Sequence, residues 1–153
     1  MTDVSVGVVD VYVIRIVGRS WRVLLLRRGP GTRSTGSWET VHGHIEPGET
    51  PPLAAIREMH EETGLAADRM YSITVSPFYL HQTGTVEMAV VFAAFVSTDH
   101  VRLGKEHDAH EWMSSAQAAK RFTWPREAES LGHIRRLLRG GTAGVVEDVL
   151  RVR

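Results

Sequence analysis

Cysteine is absent from this chain of 153 residues. Its absence excludes a disulfide framework, a zinc site held by thiolates, a cysteine nucleophile and an iron–sulfur cluster bound by cysteine. An excess of either charge is lacking too, because 18 Lys and Arg residues balance 18 Asp and Glu residues. We therefore expect neither a nucleic acid polymer nor a membrane as partner. The lack of cysteine fits a cytoplasmic location, which we also expect.

Long apolar runs are missing as well. The longest ones, such as residues 89–96, are far shorter than the roughly 20 residues that a transmembrane helix needs. The first residues lack the basic and apolar regions of a signal peptide. No internal repeat and no long linker divides the chain. The sequence therefore predicts a single domain over residues 1–153.

Hydrophobic periodicity predicts strands on both sides of a central helix. That helix begins after Thr50, a good N-cap, and ends at Gly64. A short helix over residues 115–120 precedes a second long one, which begins at Pro125. The predicted strands cover residues 4–17, 21–27, 38–45, 71–80, 86–96 and 112–113. The order of elements favours a layered α/β domain, with the tail over 142–153 either helical or extended.

Three glutamates cluster on the central predicted helix. At 100° per residue, Glu58, Glu61 and Glu62 share one arc about 100° wide. The opposite arc, which is predicted to face the core, holds Leu53, Ile56 and Met59. Like charges at this spacing repel one another unless a cation compensates them. Mg²⁺ or Mn²⁺ is the natural candidate because hard ions prefer oxygen ligands; the alternative is a solvated acidic face.

The segment around these acids resembles a known motif. Residues 43–65 read GHIEPGETPPLAAIREMHEETGL, which matches the Nudix box at every defined position. The chain is therefore similar to Nudix hydrolases. The resemblance implies an α/β/α sandwich around a mixed β-sheet. It also implies a hydrolase that uses Mg²⁺ or Mn²⁺ to cleave a nucleoside diphosphate linked to another group.

The resemblance assigns roles to the charged residues of the motif. Glu58, Glu61 and Glu62 are expected to bind the metal. Glu61, Glu62 and Arg57 are expected to be catalytic. Arg57 is also expected to form a salt bridge with Glu49 and so to hold the preceding loop against the helix.

Three further residues are expected to contact the substrate. Gly43, which has no Cβ, would let the backbone approach the metal or a phosphate closely. Arg28 ends a predicted strand beside a glycine-rich loop, where it either binds a phosphate or forms a solvated strand end. Trp38 either stacks on a base or packs against the core.

Four histidines raise the alternative of a zinc site. His42 and His44 would share one face of a strand, and His107 and His110 follow much later. No third ligand stands at a defined spacing from either pair, so zinc is not favoured. These histidines are expected to contact substrate or to lie on the surface.

Hydrolysis also needs a group that orients or deprotonates the attacking water. Three acids outside the motif compete for this role, namely Glu87, Glu106 and Glu111. Glu106 is favoured because it lies in a predicted loop over 104–109, in which Gly104 allows the chain to fold inward. The pair formed by Glu106 and His107 also looks similar to the dihydroneopterin-triphosphate and dATP pyrophosphohydrolase branch of the family.

The resemblance to that branch favours a nucleoside triphosphate-like substrate, cut between its α and β phosphates. Within the family, the alternative is a dinucleoside polyphosphate or nucleotide-sugar hydrolase. An alternative of another class is a noncatalytic nucleotide-sensing Nudix module, against which the complete set of glutamates argues. The expected partner is a small nucleotide, and the expected assembly is a monomer or a homodimer.

Overall fold

Seven strands and four α-helices follow one another in this computed structural model, which describes residues 1–153. The strands are β1 (Asp3–Val17), β2 (Ser20–Arg28), β3 (Trp38–Glu39), β4 (Val41–His44), β5 (Arg69–Leu80), β6 (Thr85–Phe95) and β7 (His107–Met113). The helices are α1 (Pro51–Thr63), α2 (Ser115–Arg121), α3 (Pro125–Leu137) and α4 (Glu147–Leu150), the last preceded by a 3₁₀ turn (Gly144–Val146). None of these helices has the length and apolar character needed to span a bilayer.

The sheet is mixed and divides at its centre. The path of paired strands is β3-β2-β1-β6-β5, in which β1 and β6 run parallel and the other neighbours run antiparallel. β1 pairs with β2 only over residues 14–17, and it pairs with β4 over residues 8–11. The outer part of β2 pairs instead with β3 and β7. Because β1 and β2 part in this way, β3 and β4 line an opening in the sheet.

Each face of the sheet is covered by helix. On β1, Val9, Val11 and Val13 lie in the core beneath α1, whereas Tyr12 and Ile14 lie in the core beneath α2 and α3. The apolar helix residues buried in these two cores are Ala54, Ala55 and Met59 of α1, Ala118 of α2, and Leu131 and Ile134 of α3. Alternation along β1 thus supplies both cores, since successive strand side chains point to opposite faces. The predicted α/β/α sandwich around a mixed sheet is confirmed.

The orientation of α1 differs from the prediction. Leu53, which was expected in the core, is 56% exposed, whereas Glu62 is only 6% exposed. The buried face is centred on Ala55 and Met59. Compared with the prediction, the helix is rotated about its axis so that Glu62 lies against the sheet. Small alanines allow the helix to approach the sheet closely, and Glu62 finds polar partners there. The prediction that the three glutamates lie opposite the buried face of the helix was therefore wrong for Glu62.

Two boundaries in the second half of the chain also differ. β7 begins at His107, so half of the segment predicted as a loop over 104–109 is strand. The polar sequence HDAHEWM lacks the apolar alternation that predicts a strand, because only His107 and Met113 are buried. The tail over residues 142–153, for which the sequence favoured neither helix nor strand, contains the short helix α4. After this helix, Arg151 forms a β-bridge with Tyr71 of β5.

Candidate active site

A cleft of 470 Å³ is lined by residues of β3, β4 and β5, the end of β2 and the start of α3. One wall is largely aromatic, with Phe78 and Tyr79 of β5 facing Trp124 just before α3. Arginines and polar groups complete the lining, together with Glu39 of β3 and His42 of β4. The cleft therefore combines aromatic side chains, suited to a flat ring, with charged groups.

Glu62 of α1 lies next to His42, which lines the cleft, and its surroundings disfavour its negative charge. Its Oε2 accepts a hydrogen bond from the backbone N–H of His42 at 3.2 Å, but its buried Oε1 has no partner. Burial, followed by the nearby carboxylates of Glu39, Glu58 and Glu106, raises the pKa of Glu62 well above its usual value. The negative charges of Glu39, Glu58 and Glu106 thus act together on the buried carboxyl of Glu62, which a proton or a cation must neutralise.

Arg57 ties the preceding loop to the acids of α1. Its Nε and one terminal nitrogen donate to the two carboxylate oxygens of Glu49, at 2.8 and 2.9 Å. The terminal nitrogen that donates to Glu49 also donates to the backbone oxygen of His44. The other terminal nitrogen donates to Glu58 at 2.8 Å and to Glu61 at 3.2 Å. The expected salt bridge is present, and these hydrogen bonds lower the pKa of Glu49 to about 2.

Gly43 leaves room for one of these acids. A Cβ built on Gly43 would lie 2.0 Å from the carboxyl carbon of Glu58. No ordinary contact is that short, so any larger residue must displace the carboxylate. The close approach allowed by Gly43 is therefore to the side chain of Glu58, a detail that the motif alone does not reveal.

The Gly43→Ala variant is expected to lose about 100-fold in turnover, because a shift of about 1 Å in a catalytic group costs that much. Steady-state kinetics at saturating metal would measure the loss. Gly132→Ala is the matched control, since a Cβ there meets nothing within 4 Å. Near-normal turnover in Gly43→Ala would show that Glu58 does not need its observed position.

The loop that carries Glu106 is packed against the end of α1. A Cβ on Gly104 would lie 2.9 Å from the backbone oxygen of Glu61, so this glycine too permits a close approach. The backbone oxygen of Glu106 accepts a hydrogen bond from the N–H of Gly29 at 2.9 Å. Its side chain is 58% exposed and lies 3.8 Å from Arg28. The charge of Glu106 helps to raise the pKa of both Glu58 and Glu62, so the acid lies beside the cluster.

The two other acids considered for this role have different neighbours. Glu111 lies 3.6 Å from Arg121 and lines a separate hollow. Glu87 accepts a hydrogen bond from the hydroxyl of Thr85 at 3.0 Å on β6. Of the three candidates, Glu106 is the one whose loop packs against α1, because the N–H of Gly104 in that loop lies 3.4 Å from the backbone oxygen of Glu62.

His107 occupies a place that the sequence did not suggest. Its side chain is fully buried, with Nε2 3.0 Å from Oε2 of Glu39 and Nδ1 3.6 Å from Oε1 of Glu62. The surface position considered for it was therefore wrong. The three residues bring a nitrogen and two carboxylate oxygens close enough together to hold a metal ion. The sequence offered two signals for His107, its spacing to His110 and its position next to Glu106.

A second buried network supports the cleft and was also missed. Asp10 of β1 has no exposed surface, and its two oxygens bind Nδ1 of His42 and the guanidinium of Arg126. Burial raises the pKa of Asp10, but the hydrogen bond and charge of His42 and the charge of Arg126 outweigh it and hold that pKa below its usual value. Arg126 also lies over the ring of Phe78 at 4.5 Å. The network therefore orients His42 at the cleft and braces its aromatic wall.

Of the two side chains predicted to contact the substrate, Arg28 lines the cleft and Trp38 does not. Arg28 lines the cleft and donates to Glu39 at 3.1 Å, so it is not a solvated strand end. Trp38 lies outside the cleft lining and packs against the core beneath α3, with Arg27 and Arg121 over its ring. Trp124, which is 42% exposed, is the tryptophan at the cleft.

Comparisons with known proteins identify the family and the fold of the chain. A family model described as "NUDIX domain" matches residues 3–133. The chain is 30% identical over 109 residues to the CTP pyrophosphohydrolase of Escherichia coli K12, covering 69% of this chain and 76% of that protein. It is 38% identical over 117 residues to an octanoyltransferase of Myxococcus xanthus, of which it spans only 32%. A Caenorhabditis elegans Ap4A hydrolase complex has the same fold, with a TM-score of 0.74 at 23% identity, covering 89% of this chain and 99% of that one.

Proposed function

Because the chain belongs to the NUDIX domain family, we propose that it is a divalent-metal-dependent pyrophosphohydrolase acting on a nucleoside triphosphate-like substrate. The observation that carries this proposal is the group of carboxylates around the buried Glu62, which lies beside the cleft-lining residues Glu39 and His42. Such a cluster is costly to maintain without a cation. The 30% identity to a CTP pyrophosphohydrolase supports a nucleoside triphosphate as the substrate class.

The residues present fit a hard divalent ion. Glu58, Glu61 and Glu62 offer carboxylate oxygens, and the buried Oε1 of Glu62 has no other partner. Arg57 fixes the directions of Glu58 and Glu61. Mg²⁺ and Mn²⁺ prefer such ligands. When bound, the ion would neutralise phosphate charge and lower the pKa of a coordinated water.

The cleft suggests how a nucleotide would lie. Its base would occupy the aromatic end between Tyr79 and Trp124, and its phosphates would reach past Arg28 and Arg33 toward the acids of α1. Guanidinium groups bind phosphate oxygens with two parallel hydrogen bonds, so these arginines suit that position. This direction brings the phosphate chain, rather than the base, to the metal-binding residues.

Glu106 would orient or deprotonate the attacking water. The Glu106→Gln variant is expected to lose about 10²- to 10⁴-fold in turnover, the usual contribution of a general base, with little change in KM. Glu87→Gln and Glu111→Gln should stay close to wild type, because their neighbours lie outside the acidic cluster. Measurement of kcat at saturating Mg²⁺ for all three variants decides the matter. A loss confined to Glu87→Gln or Glu111→Gln would transfer the role to that residue.

Base stacking should depend on Trp124. Stacking of one base on an aromatic ring contributes about 1–3 kcal/mol, so Trp124→Ala should raise KM by roughly 5- to 150-fold. Trp38→Ala should affect thermal stability more than KM, because Trp38 packs against the core. Comparison of the two KM values tests the assignment. A larger rise in KM for Trp38→Ala would favour the base contact predicted for that residue from the sequence.

The decisive experiment is a substrate panel with Mg²⁺ or Mn²⁺. Nucleoside triphosphates, dinucleoside polyphosphates and nucleotide sugars would be compared, with release of pyrophosphate scored separately from release of orthophosphate. We expect pyrophosphate from a nucleoside triphosphate and no reaction in excess EDTA. Hydrolysis that persists in EDTA would contradict the metal requirement. Nucleotide binding without hydrolysis of any compound would instead indicate a sensing module.

A further inference from the structure

Two buried acceptor atoms face each other beside α1. Nε2 of His107 lies 3.0 Å from Oε2 of Glu39, which also accepts a hydrogen bond from Arg28. A carboxylate can only accept, so Nε2 must carry the proton. An imidazole with its single proton on Nε2 presents Nδ1 as an acceptor, and Nδ1 of His107 lies 3.6 Å from Oε1 of Glu62. Neither Nδ1 nor this Oε1 has a hydrogen-bond partner, although both are buried.

This arrangement requires something positive between the two atoms. Leaving a buried polar group unpaired costs about 1–3 kcal/mol, and here two such groups also repel each other. The separation of 3.6 Å is longer than an ordinary hydrogen bond. A cation held between the two atoms would contact both of them and remove this repulsion.

We propose that Nδ1 of His107 is a ligand of the divalent ion that Glu62 holds, so that the metal centre combines imidazole nitrogen with carboxylate oxygen. The inference rests on the metal requirement of the proposed function and adds a ligand to it. Glu39 completes the arrangement, because a histidine that binds metal commonly donates its other N–H to a carboxylate, which fixes its tautomer. Arg28 in turn holds Glu39.

A nitrogen ligand has a consequence for metal preference. Imidazole binds transition ions well, whereas Mg²⁺ favours carboxylate, carbonyl and water oxygens. The wild-type protein should therefore bind Mn²⁺ much more tightly than Mg²⁺, and His107 should account for a large part of the difference.

Pulsed electron paramagnetic resonance on the Mn²⁺-loaded wild-type protein tests the ligand directly. Spin-echo modulation from a directly bound ¹⁴N nucleus is expected, and it should change to the ¹⁵N pattern when histidine alone is labelled. This measurement needs neither a variant nor catalytic activity. Absence of nitrogen modulation would overturn the proposal and leave a shared proton as the link between His107 and Glu62.

Two substitutions separate the nitrogen ligand from a purely structural role. His107→Gln can keep a contact with Glu39 but has no atom at the position of Nδ1, so its Kd for Mn²⁺ should rise at least about 10-fold. His107→Asn places an oxygen near that position, so its affinity for Mn²⁺ should fall less. Calorimetric titration with Mn²⁺ and Mg²⁺ gives the ratio of the two affinities, which a packing defect alone would not change. His110→Gln, on the same strand, is the matched control.

The outcomes also distinguish this inference from the proposed function. An unchanged ratio of affinities in folded His107→Gln would refute the nitrogen ligand even if metal-dependent hydrolysis were present. Nitrogen modulation in a protein that hydrolyses no nucleotide would support the ligand and refute the pyrophosphohydrolase. If neither variant folded, the labelled wild-type protein would still decide the question.

Discussion

The Glu62→Gln variant is expected to lose about 10³-fold or more in turnover, since a ligand that neutralises charge in the transition state is lost. It should nevertheless be more stable than wild type without metal. In the metal-free wild-type protein, Glu62 is buried among Glu39, Glu58 and Glu106, which raise its pKa together with burial. Replacing the carboxyl with a neutral amide removes that unfavourable charge.

Thermal unfolding with and without metal tests this expectation. A ligand that binds only the folded protein should raise the wild-type Tm by about 5 to 10 °C at a hundredfold excess over its Kd. The rise should be much smaller in Glu62→Gln. Glu129→Gln, an exposed change on α3, serves as the control and should behave like wild type. Near-normal turnover in Glu62→Gln would contradict the role of Glu62 as a metal ligand.

The Arg57→Ala variant is expected to lose both stability and activity. Arg57 donates to Glu49, Glu58 and Glu61 and to the backbone oxygen of His44, so one truncation releases the loop and two acids together. We expect a fall of about 5 °C in Tm, accompanied by a loss of turnover. Differential scanning calorimetry and steady-state kinetics on the same preparation would measure both.

Two further variants give this test its controls. Arg136→Ala removes an exposed arginine of α3 and should change neither property. Arg57→Lys keeps the charge but loses the planar fork that binds Glu49 through two hydrogen bonds, so it should recover only part of the loss. An unchanged Tm in Arg57→Ala would contradict the role of Arg57 in holding the loop.

Much of the site could be read from the sequence because it is local. Gly43, Glu49, Arg57 and the glutamates of α1 lie within one continuous segment, and helix geometry places residues three and four apart side by side. The family predicted from this segment is confirmed by the match over residues 3–133. The layered α/β fold was also predictable, because the period of apolar residues follows directly from strand and helix geometry.

The groups that surround those glutamates could not be read in this way. Asp10 and Arg126 are 116 positions apart, and Thr40 donates its N–H to Glu127 across 87 positions. His107 reaches Glu39 across 68 positions. No local period links such residues, since their distance depends on how β1 and β2 part and on how α3 packs.

The sequence by itself determined the identity of the acidic helix, its cap residues and the layered architecture, because each depends on neighbours only a few residues away. Tertiary structure alone decided which face of α1 is buried, and therefore that Glu62 is enclosed while Leu53 is exposed. It also decided that a histidine from a polar strand lies beside Glu62. The physical reason is that burial and charge depend on the atoms around a residue in space, and most of those atoms come from distant parts of the chain.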